Sequence, residues 1–317
     1  MPQNVTIRIS PTEAANEKIL KQRLASAVKT KPENINAYQI IRRSLDARSR
    51  NIISQLQVNV FVNEEFSDAF EFHPNLQNVE NKHEVYIAGA GPAGLFAALE
   101  LIEQGLKPII IERGKNVRDR RRDLAAMNKE GKVNPESNYC YGEGGAGTYS
   151  DGKLYTRSTK RGNILKSLQW FVHFGATERI LQEAHPHIGT NKLPGIIANM
   201  REAIIECGGE VWFDTKLTDI IIENNQIKGI EINHDKKIKT SSLILATGHS
   251  ARDIFRMLDE KNVLIEAKPF ALGVRVEHHQ SLIDSAQYHC PIGSERNEFL
   301  PPASYSLVSQ EAGRGVF

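Results

Sequence analysis

A glycine-rich turn between two apolar runs constrains the fold of this chain more than any other feature of its sequence. The hexapeptide GAGPAG occupies residues 89–94, directly after the apolar run at residues 85–88. A stretch with apolar residues nearly all round, residues 92–104, predicts a helix, and residues 108–111 predict a second buried strand. The order strand, helix, strand within about 30 residues predicts a βαβ unit and therefore a parallel sheet.

Each glycine of this turn has a physical task in a dinucleotide site. Gly89 permits the tight turn, Gly91 lets the backbone approach a diphosphate, and Gly94 lets the helix pack closely on the strand. The helix N-terminus, with its free N–H groups, favours the negative charge of the diphosphate. Glu112 ends the second strand, where an acid accepts hydrogen bonds from the adenosine ribose. This acid repels a 2′-phosphate, which excludes NADP at this site and leaves NAD and FAD open.

The segment LILATGHS at residues 243–250 separates these two cofactors through a resemblance. It is similar to the Ala-Thr-Gly segment of FAD-dependent oxidoreductases related to glutathione reductase, in which a strand ends near the FAD after a three-stranded excursion. Residues 209–242 supply the excursion, with strands expected at residues 209–213, 217–222 and 227–232. A final buried strand is expected at residues 242–246.

Three longer stretches resemble a bacterial family of FAD-dependent dehydrogenases. They are YGEGGAGTYSDGKL at residues 141–154, HIGTNKL at 187–193 and FALGVRVEH at 270–278. The resemblance extends from the N-terminal region to the last residue. It implies an α/β fold, namely a Rossmann-like FAD-binding domain with a three-stranded excursion, preceded by a small α+β (ferredoxin-like) N-terminal domain. It implies FAD as the cofactor more firmly than any particular reaction, because function resides in the site rather than in the fold.

The residues expected to contact the cofactor come from the glycine turn, the end of the second strand, the glycine-dense loop and the ends of later strands. They are Gly89, Gly91, Pro92, Ala93, Gly94, Glu112, Arg113, Gly144, Gly145, Ala146, Gly147, Thr148, Ser150, Asp151, Lys153, Leu217, Ala246, Thr247 and Gly248. Loop glycines suit close approach of the backbone to a ring or a phosphate. A positive charge beside the flavin, for which Lys153 is a candidate, raises its reduction potential. No metal site is expected.

Three side chains are candidates for catalysis, and each also has a structural interpretation. Lys153 either contacts the flavin or is an ordinary surface lysine. His249 follows the Ala-Thr-Gly turn and either reaches the active site or marks the beginning of a helix. Cys140 lies beside the glycine-dense loop, and the interpretation we favour is a buried, small apolar side chain. His278 and His279 are adjacent on an expected strand, so at most one of them faces a pocket.

A basic run follows the second predicted strand, at Arg113, Lys115, Arg118, Arg120, Arg121 and Arg122. We expect one of these arginines to touch the diphosphate or the adenine of the cofactor. The others are interpreted as a solvated helix face.

The pattern divides the chain into an N-terminal domain at residues 1–80, an FAD-binding domain at 83–250 and the start of a substrate domain at 251–317. Residues 1–80 predict the order β-α-β-β, half of a ferredoxin-like fold, with later strands at 34–42 and 52–62, a basic turn at 42–50 and a polar linker at 67–82. Only 69 residues follow Gly248, without the returning strand and helix that hold the flavin in such proteins. We therefore expect a chain truncated inside its substrate domain.

Composition excludes several other classes of protein. The net charge is +2, without the clustered basic surface that phosphate-backbone binding requires, so no nucleic acid partner is expected. No run of about 18 apolar residues exists, so no membrane span is expected. The three cysteines contain no C-x-x-C pair, which suits the cytoplasm and argues against a flavin–disulfide reductase.

The sequence therefore predicts an FAD-dependent oxidoreductase with a small-molecule substrate and hydride or electron transfer through the flavin. NAD(P)H is a candidate electron donor. The alternative is a flavoprotein in which FAD is structural or sensory and the N-terminal domain is an interaction module.

Overall fold

The computed structural model of the chain describes residues 1–150, 152–154, 156, 162–189, 191–268, 273–274, 276–305 and 309–316. These residues form two compact units. The first unit comprises Met1–Glu71, Leu181–Ala184 and Pro269–Phe317. The second unit comprises Phe72–Ile180 and His185–Lys268, and it contains the glycine turn.

The N-terminal part of the first unit is a three-stranded antiparallel sheet covered by two helices. Its elements are β1 (Gln3–Ile9), α1 (Pro11–Ala15), α2 (Glu17–Ala27), β2 (Ile35–Asp46) and β3 (Ile53–Val62), with a 3₁₀ turn at Pro32–Asn34. The strand order is β1-β3-β2, and both pairs are antiparallel, so β1 and β2 run parallel with β3 between them. Leu20 and Leu24 of α2 pack with Ile7, Ile9 and Val58 of the sheet. This is the α+β half of a ferredoxin-like fold that the sequence predicts.

The basic segment between the last two strands of this sheet is only partly a turn, which corrects the prediction. β2 continues through Arg42 and Arg43 to Asp46, and its residues pair with β3 after an irregularity between Ile40 and Arg42. Asp46 accepts hydrogen bonds from Arg8 of β1 (3.2 Å) and from Arg48 (2.7 Å). Pairing with β3 thus extends β2 into a charged segment whose composition had predicted a solvated turn.

The second unit is an α/β domain built on a parallel sheet. In chain order its elements are β4 (Glu84–Ala88), α3 (Pro92–Glu103), β5 (Lys107–Ile111), α4 (Val117–Glu130), α5 (Ile164–His173), α6 (Leu193–Glu206), β6 (Glu210–Trp212), β7 (Leu217–Glu223), β8 (Gln226–Ile232), β9 (Lys236–Lys239), β10 (Leu243–Leu245) and α7 (Arg252–Glu260). The sheet has the order β10-β4-β5-β6 with parallel pairing throughout. This is the order of four strands in a Rossmann fold, which confirms the predicted fold class.

The three-stranded excursion is present, but its strands differ from those expected. β6 pairs with β5 and belongs to the parallel sheet, while β7, β8 and β9 form the separate antiparallel sheet. The sequence pattern had placed β6 in the excursion and missed β9. β9 reads Lys-Lys-Ile-Lys, so it offers a single apolar residue and lacks the apolar alternation from which strands are predicted.

The remaining elements of the first unit are α8 (Gln280–Tyr288), β11 (Ser309–Glu311) and β12 (Arg314–Val316). His279 is the residue before α8 and His278 lies in irregular chain, so the strand expected around them is wrong. The His278 ring contacts the Tyr305 hydroxyl at 2.9 Å. Within the described ranges no helix is long and apolar enough to cross a membrane.

Candidate functional site

The glycine turn connects β4 to α3 at the carboxyl end of the parallel sheet. Gly89 has a φ of +109°, a conformation that favours glycine. A methyl group on Gly94 would overlap the carbonyl oxygen of Gly89, so this glycine serves helix–strand packing. Gly91 differs, because an added Cβ would meet only the Cα of Gly145, at 3.9 Å. No side chain of the described residues caps the N-terminus of α3, and Gly91, Pro92 and Ala93 at this end line a cavity, as a diphosphate site requires.

The Ala-Thr-Gly segment lies directly against this turn. β10 is the parallel neighbour of β4, and the amide of Ala246 donates to the carbonyl of Ala88 at 2.8 Å. An added Cβ on Gly89 would lie 2.5 Å from the carbonyl oxygen of Ala246, so the two segments touch through their backbones. β4 and β10 are the strands between which the strand order reverses, and ligands of open α/β sheets bind outside the carboxyl ends at that point.

Glu112 occupies the predicted place after β5 and is almost fully buried. Its Oε2 accepts a hydrogen bond from the amide of Ala90 (2.8 Å), and its Oε1 accepts from the amides of Gly114 (2.8 Å) and Gly142 (3.0 Å). The carboxylate therefore joins three backbone segments around the turn. Because a carboxylate has about four acceptor positions, Oε2 keeps one for a ligand hydroxyl.

The glycine-dense loop packs on the glycine turn through the backbone of Gly144 and Gly145. Gly144 (φ +80°) donates from its amide to the carbonyl of Ala90 at 2.8 Å. An added Cβ on Gly145 would lie 3.1 Å from Cδ of Pro92. An added Cβ on Gly144 would overlap Thr148 and Ile197. The loop glycines were expected to contact a cofactor. In the structure, Gly144 and Gly145 make close contacts with other residues of the protein.

Four charged side chains form a cluster beside Glu112. The Arg113 guanidinium pairs with Glu136 (2.6 Å) and Asp253 (3.1 Å), and the Lys216 ammonium pairs with the same two carboxylates (3.3 and 3.1 Å). Burial lowers the pKa of Arg113, but these hydrogen bonds outweigh it and raise the pKa overall. The guanidinium also lies 4.1 Å from the ring centre of Tyr141. Two cations thus share two carboxylates, so the described side chains of this cluster carry no net positive charge toward a 2′-phosphate.

A cavity of about 350 Å³ lies where these segments meet. Its wall includes fourteen of the residues that the sequence singled out, namely Gly89, Gly91, Pro92, Ala93, Glu112, Arg113, Gly145, Ala146, Leu217, Ala246, Thr247, Gly248, Cys140 and His249. The other wall residues are Ala88, Ile111, Tyr141, Gly142, Thr215, Lys216, Leu245, Ser250, Ala251 and Ile254. The Tyr141 hydroxyl donates to the carbonyl of Ser250 at 2.8 Å and closes the wall between the loop and the Ala-Thr-Gly segment.

Other expected contact residues are not part of this wall. Among the described residues these are Gly94, Gly144, Gly147, Thr148, Ser150 and Lys153. Thr148 is buried, and its hydroxyl contacts the carbonyls of Glu143 (3.2 Å) and Gly145 (2.9 Å). The Ser150 hydroxyl donates to the carbonyl of Gly147 at 2.7 Å. Asp151 lies outside the described residues.

A larger recess of about 840 Å³ lies elsewhere in the second unit, beside His83, Glu84 and Lys239. Glu84 is the first residue of β4, so this recess is at the amino end of the strand. Cofactors of open parallel sheets bind at the carboxyl ends. The smaller cavity, which contains the glycine turn, is therefore the candidate cofactor site.

The three candidates for catalysis have different places in the structure. His249 is exposed at the cavity, and its Nε2 lies 3.3 Å from the Ser250 hydroxyl. Cys140 is also exposed there, so the favoured interpretation as a buried apolar residue is wrong. Its amide donates to the Asn138 side chain at 2.8 Å. Lys153 pairs in an isolated β-bridge with His187, away from the cavity wall.

One arginine of the basic run after β5, Arg120, is buried, although the sequence pattern placed it on a solvated helix face. Arg120 of α4 has no exposed surface, and the side chain of Arg113 is mostly buried in its charge cluster. Arg118, Arg121 and Arg122 are exposed, as expected. Helical spacing offered no signal for Arg120, because its partners come from residues 138–148.

Three stretches of the chain match known family models. Residues 1–61 match a domain of unknown function, residues 82–125 match an FAD binding domain, and residues 269–317 match the model described as FAD-dependent protein, C-terminal domain-like. The second match contains the glycine turn and Glu112.

Curated relatives and solved structures give further matches. An uncharacterized protein of Clostridium beijerinckii is 38% identical over 317 residues, which covers 94% of this chain and 58% of that protein. The thiamine thiazole synthase of Aeropyrum pernix is 25% identical over 201 residues, 59% of this chain and 62% of the synthase. The chain thus spans about three fifths of the length of these relatives. The crystal structure of THI4 from Thermovibrio ammonificans superposes with a TM-score of 0.38 at 17% identity, over 58% of this chain and 64% of that one.

Proposed function

We propose that this chain is the FAD-binding part of an oxidoreductase that acts on a small organic molecule, in a bacterial family of FAD-dependent proteins. The cavity at the carboxyl ends of β4 and β10 carries this proposal. It combines the glycine turn, the buried acid after β5 and the Ala-Thr-Gly segment in one wall. When bound, FAD supplies hydride or single-electron chemistry, and the protein supplies position and electrostatics.

The residues of the cavity fit the diphosphate and ribose of this cofactor. Gly91 offers room in front of the uncapped N-terminus of α3, where N–H groups and the helix dipole favour a dianion. Glu112 retains an acceptor position for a ribose hydroxyl while its three amide contacts fix the carboxylate. We assign the diphosphate to Gly91 and the ribose to Glu112.

The remaining wall suits the exclusion of water from the cofactor. Leu217, Ala251 and Ile254 are buried apolar residues at the cavity, and the Tyr141–Ser250 hydrogen bond joins the loop to the strand end. Burial raises the pKa of Tyr141, which Arg113 lowers in part, so this hydroxyl keeps its proton at neutral pH and remains a donor. Cys140 and His249 are the predicted catalytic candidates that reach the cavity. We keep both as candidates for proton transfer to or from a substrate.

Anaerobic reduction of the purified, FAD-loaded chain tests the oxidoreductase activity. NADH, NADPH and a panel of amino acids and hydroxy acids are mixed with the protein, and the visible flavin bands are followed in time. We expect at least one donor to bleach the bands faster than it bleaches free FAD. Failure of every donor, in a protein that dithionite does reduce, favours the structural or sensory role of FAD instead.

A variant in the cavity wall and a matched variant outside it test whether the cavity contributes to the rate of flavin reduction. Glu260→Gln changes an exposed carboxylate at the end of α7, outside the cavity wall, and should leave the reduction rate unchanged. His249→Ala should slow reduction without releasing the flavin if His249 moves a proton. An unchanged rate removes His249 from the catalytic candidates.

A further inference from the structure

Arg120 is a buried arginine in the middle of the basic helix α4. Its side chain has no exposed surface, and it is the largest fully buried side chain of the described residues. No carboxylate in the described ranges lies within ion-pair distance of it, although the neighbouring Arg122 pairs with Asp119 on the surface. Burial lowers the pKa of Arg120, since the charged form loses its hydration. A cation in this position needs another source of stabilisation.

Backbone carbonyls of a single loop provide that stabilisation. Nε of Arg120 donates to the carbonyl of Asn138 (3.0 Å) and Nη2 to that of Tyr139 (3.2 Å). Nη1 donates to the carbonyl of Glu143 (2.7 Å), with longer contacts to the Gly142 carbonyl (3.4 Å) and the Thr148 hydroxyl (3.1 Å). All three guanidinium nitrogens are therefore bonded to residues 138–148.

The same loop is bonded to the cofactor cavity from its other side. The amide of Gly142 donates to Glu112, and the amide of Gly144 donates to the carbonyl of Ala90 in the glycine turn. The peptides around Gly142 thus face Arg120 with their carbonyls and the site with their amides. Cys140, Tyr141, Gly142, Gly145 and Ala146 of this loop line the cavity. Arg120 itself lies outside the wall.

We propose that Arg120 is a positioning residue of the FAD site, which holds the loop at residues 138–148 in the conformation that the cofactor binds. This inference rests on the cofactor assignment above. The guanidinium suits the task because its planar fork donates in five directions with one fixed geometry. A fixed loop lowers the conformational entropy that binding must remove, and so raises affinity for the cofactor.

The test compares FAD binding to the full chain and to three variants by equilibrium dialysis. Arg120→Ala removes the fork and should weaken binding at least about tenfold, equivalent to about 1.4 kcal/mol. Arg120→Lys keeps the charge but donates at most three bonds, so its affinity should lie between those of Arg120→Ala and the original chain. Arg122→Ala, on the exposed side of the same helix, should bind as the original chain does.

Two readouts distinguish positioning from general damage to the fold. Millimolar guanidinium, far below the molar range that unfolds proteins, should partly restore FAD binding to Arg120→Ala, whereas sodium chloride at equal concentration should not. In the FAD-free original chain, the amides of Gly142 and Gly144 should be protected from hydrogen exchange. Rapid exchange of both amides before FAD binds overturns the proposal even if neither variant folds.

The inference and the assigned function fail in different ways. Absence of FAD binding by the original chain refutes the cofactor assignment. FAD binding by folded Arg120→Ala and Arg120→Lys at the original affinity refutes the role of Arg120 alone. An equal loss of FAD affinity in Arg122→Ala also refutes the role of Arg120, because the effect would then come from the charge of the helix.

Discussion

One guanidinium nitrogen of Arg201 bridges both carboxylate oxygens of Glu143, at 2.9 and 2.8 Å, and the Glu143 side chain has no solvent exposure. The amide of Val117 also donates to this carboxylate, at 2.7 Å. Burial nevertheless raises the pKa of Glu143 overall, against the lowering effect of Val117 and Arg201. Arg201 therefore opposes the rise in the pKa of Glu143 that burial causes within the loop that lines the cavity.

Replacement of Arg201 by methionine should destabilise the second unit by about 3–5 kcal/mol, since it leaves an uncompensated buried carboxylate. Without Arg201 the folded-state pKa of Glu143 rises further above its unfolded value. The folded variant then binds more protons than its unfolded state above about pH 4.5, and its stability falls as pH rises through that window. The deficit against the original chain should be larger at pH 8 than at pH 5. Denaturant unfolding followed by the fluorescence of Trp170 and Trp212, both in the second unit, measures it.

The double variant Glu143→Gln with Arg201→Met provides the control for this pair. It removes the stranded charge, so it should be more stable than Arg201→Met alone and should lose the additional pH dependence. A deficit in Arg201→Met that stays constant between pH 5 and pH 8 contradicts the assigned role of Glu143.

Two glycines of the turn should respond oppositely to the same small substitution. Gly91→Ala should leave the apoprotein stable, because the new Cβ meets only one atom at 3.9 Å, but should weaken FAD binding about tenfold or more by occupying the diphosphate position. Gly94→Ala should destabilise the fold itself, since its methyl group overlaps the Gly89 carbonyl. Unfolding curves and FAD dialysis measure the two effects. Gly195→Ala in α6, where an added Cβ meets nothing, should change neither; undiminished FAD affinity in Gly91→Ala would sink the diphosphate assignment.

Glu112→Gln should reduce both stability and cofactor affinity. The amide group presents an NH₂ toward backbone amides that now donate to a carboxylate, so at least one donor loses its acceptor. A loss of about 1–3 kcal/mol in unfolding free energy is expected for a buried donor left without a partner. Glu260→Gln, at an exposed site, should be neutral in the same assays. A variant with full stability and weakened FAD binding would assign Glu112 to the ligand alone.

Cofactor binding should protect one cysteine of the three. Cys140 is exposed at the cavity, whereas Cys207 is partly buried and burial raises the pKa of its thiol. Iodoacetamide should therefore modify Cys140 faster than Cys207, and saturating FAD should slow the reaction at Cys140 only. Peptide mass spectrometry gives the rate at each site. Equal labelling of Cys140 with and without FAD would show that the cofactor leaves this wall uncovered.

Sequence reasoning succeeded where local backbone requirements decide the outcome. The turn at Gly89–Gly94 needs particular residues because of its own conformation and its contact with the next strand, so its pattern is sufficient to place it. The fold class follows from the same pattern, whereas FAD is distinguished from NAD by the resemblance of residues 243–250 and of the three longer stretches to FAD-dependent families. The assignments of single contact residues remain predictions. Those at the turn other than Gly94, together with Glu112 and the Ala-Thr-Gly segment, share one cavity wall.

The remaining features depend on contacts between distant segments, which periodicity does not encode. β6 is short, and only its pairing with β5 assigns it to the parallel sheet rather than to the excursion. The buried state of Arg120 depends on carbonyls that follow it by about 20 residues. Lys216 lines the cavity and pairs with Glu136. In the sequence it is a single lysine before β7, and its neighbours do not indicate that it belongs to the site.

The parallel pairing of β10 with β4 has a consequence for the order in which the cavity forms during synthesis. Leu243 of β10 pairs with Tyr86 of β4, and the whole excursion lies between them in the chain. A nascent chain that has emerged only as far as β9 contains the glycine turn and Glu112, but not the Ala246 carbonyl that packs on Gly89. Such non-local pairings form late, because the entropy of closing a long loop must be overcome first. On the ribosome the cofactor cavity therefore lacks the wall formed by the segment around Ala246 until that segment has left the exit tunnel.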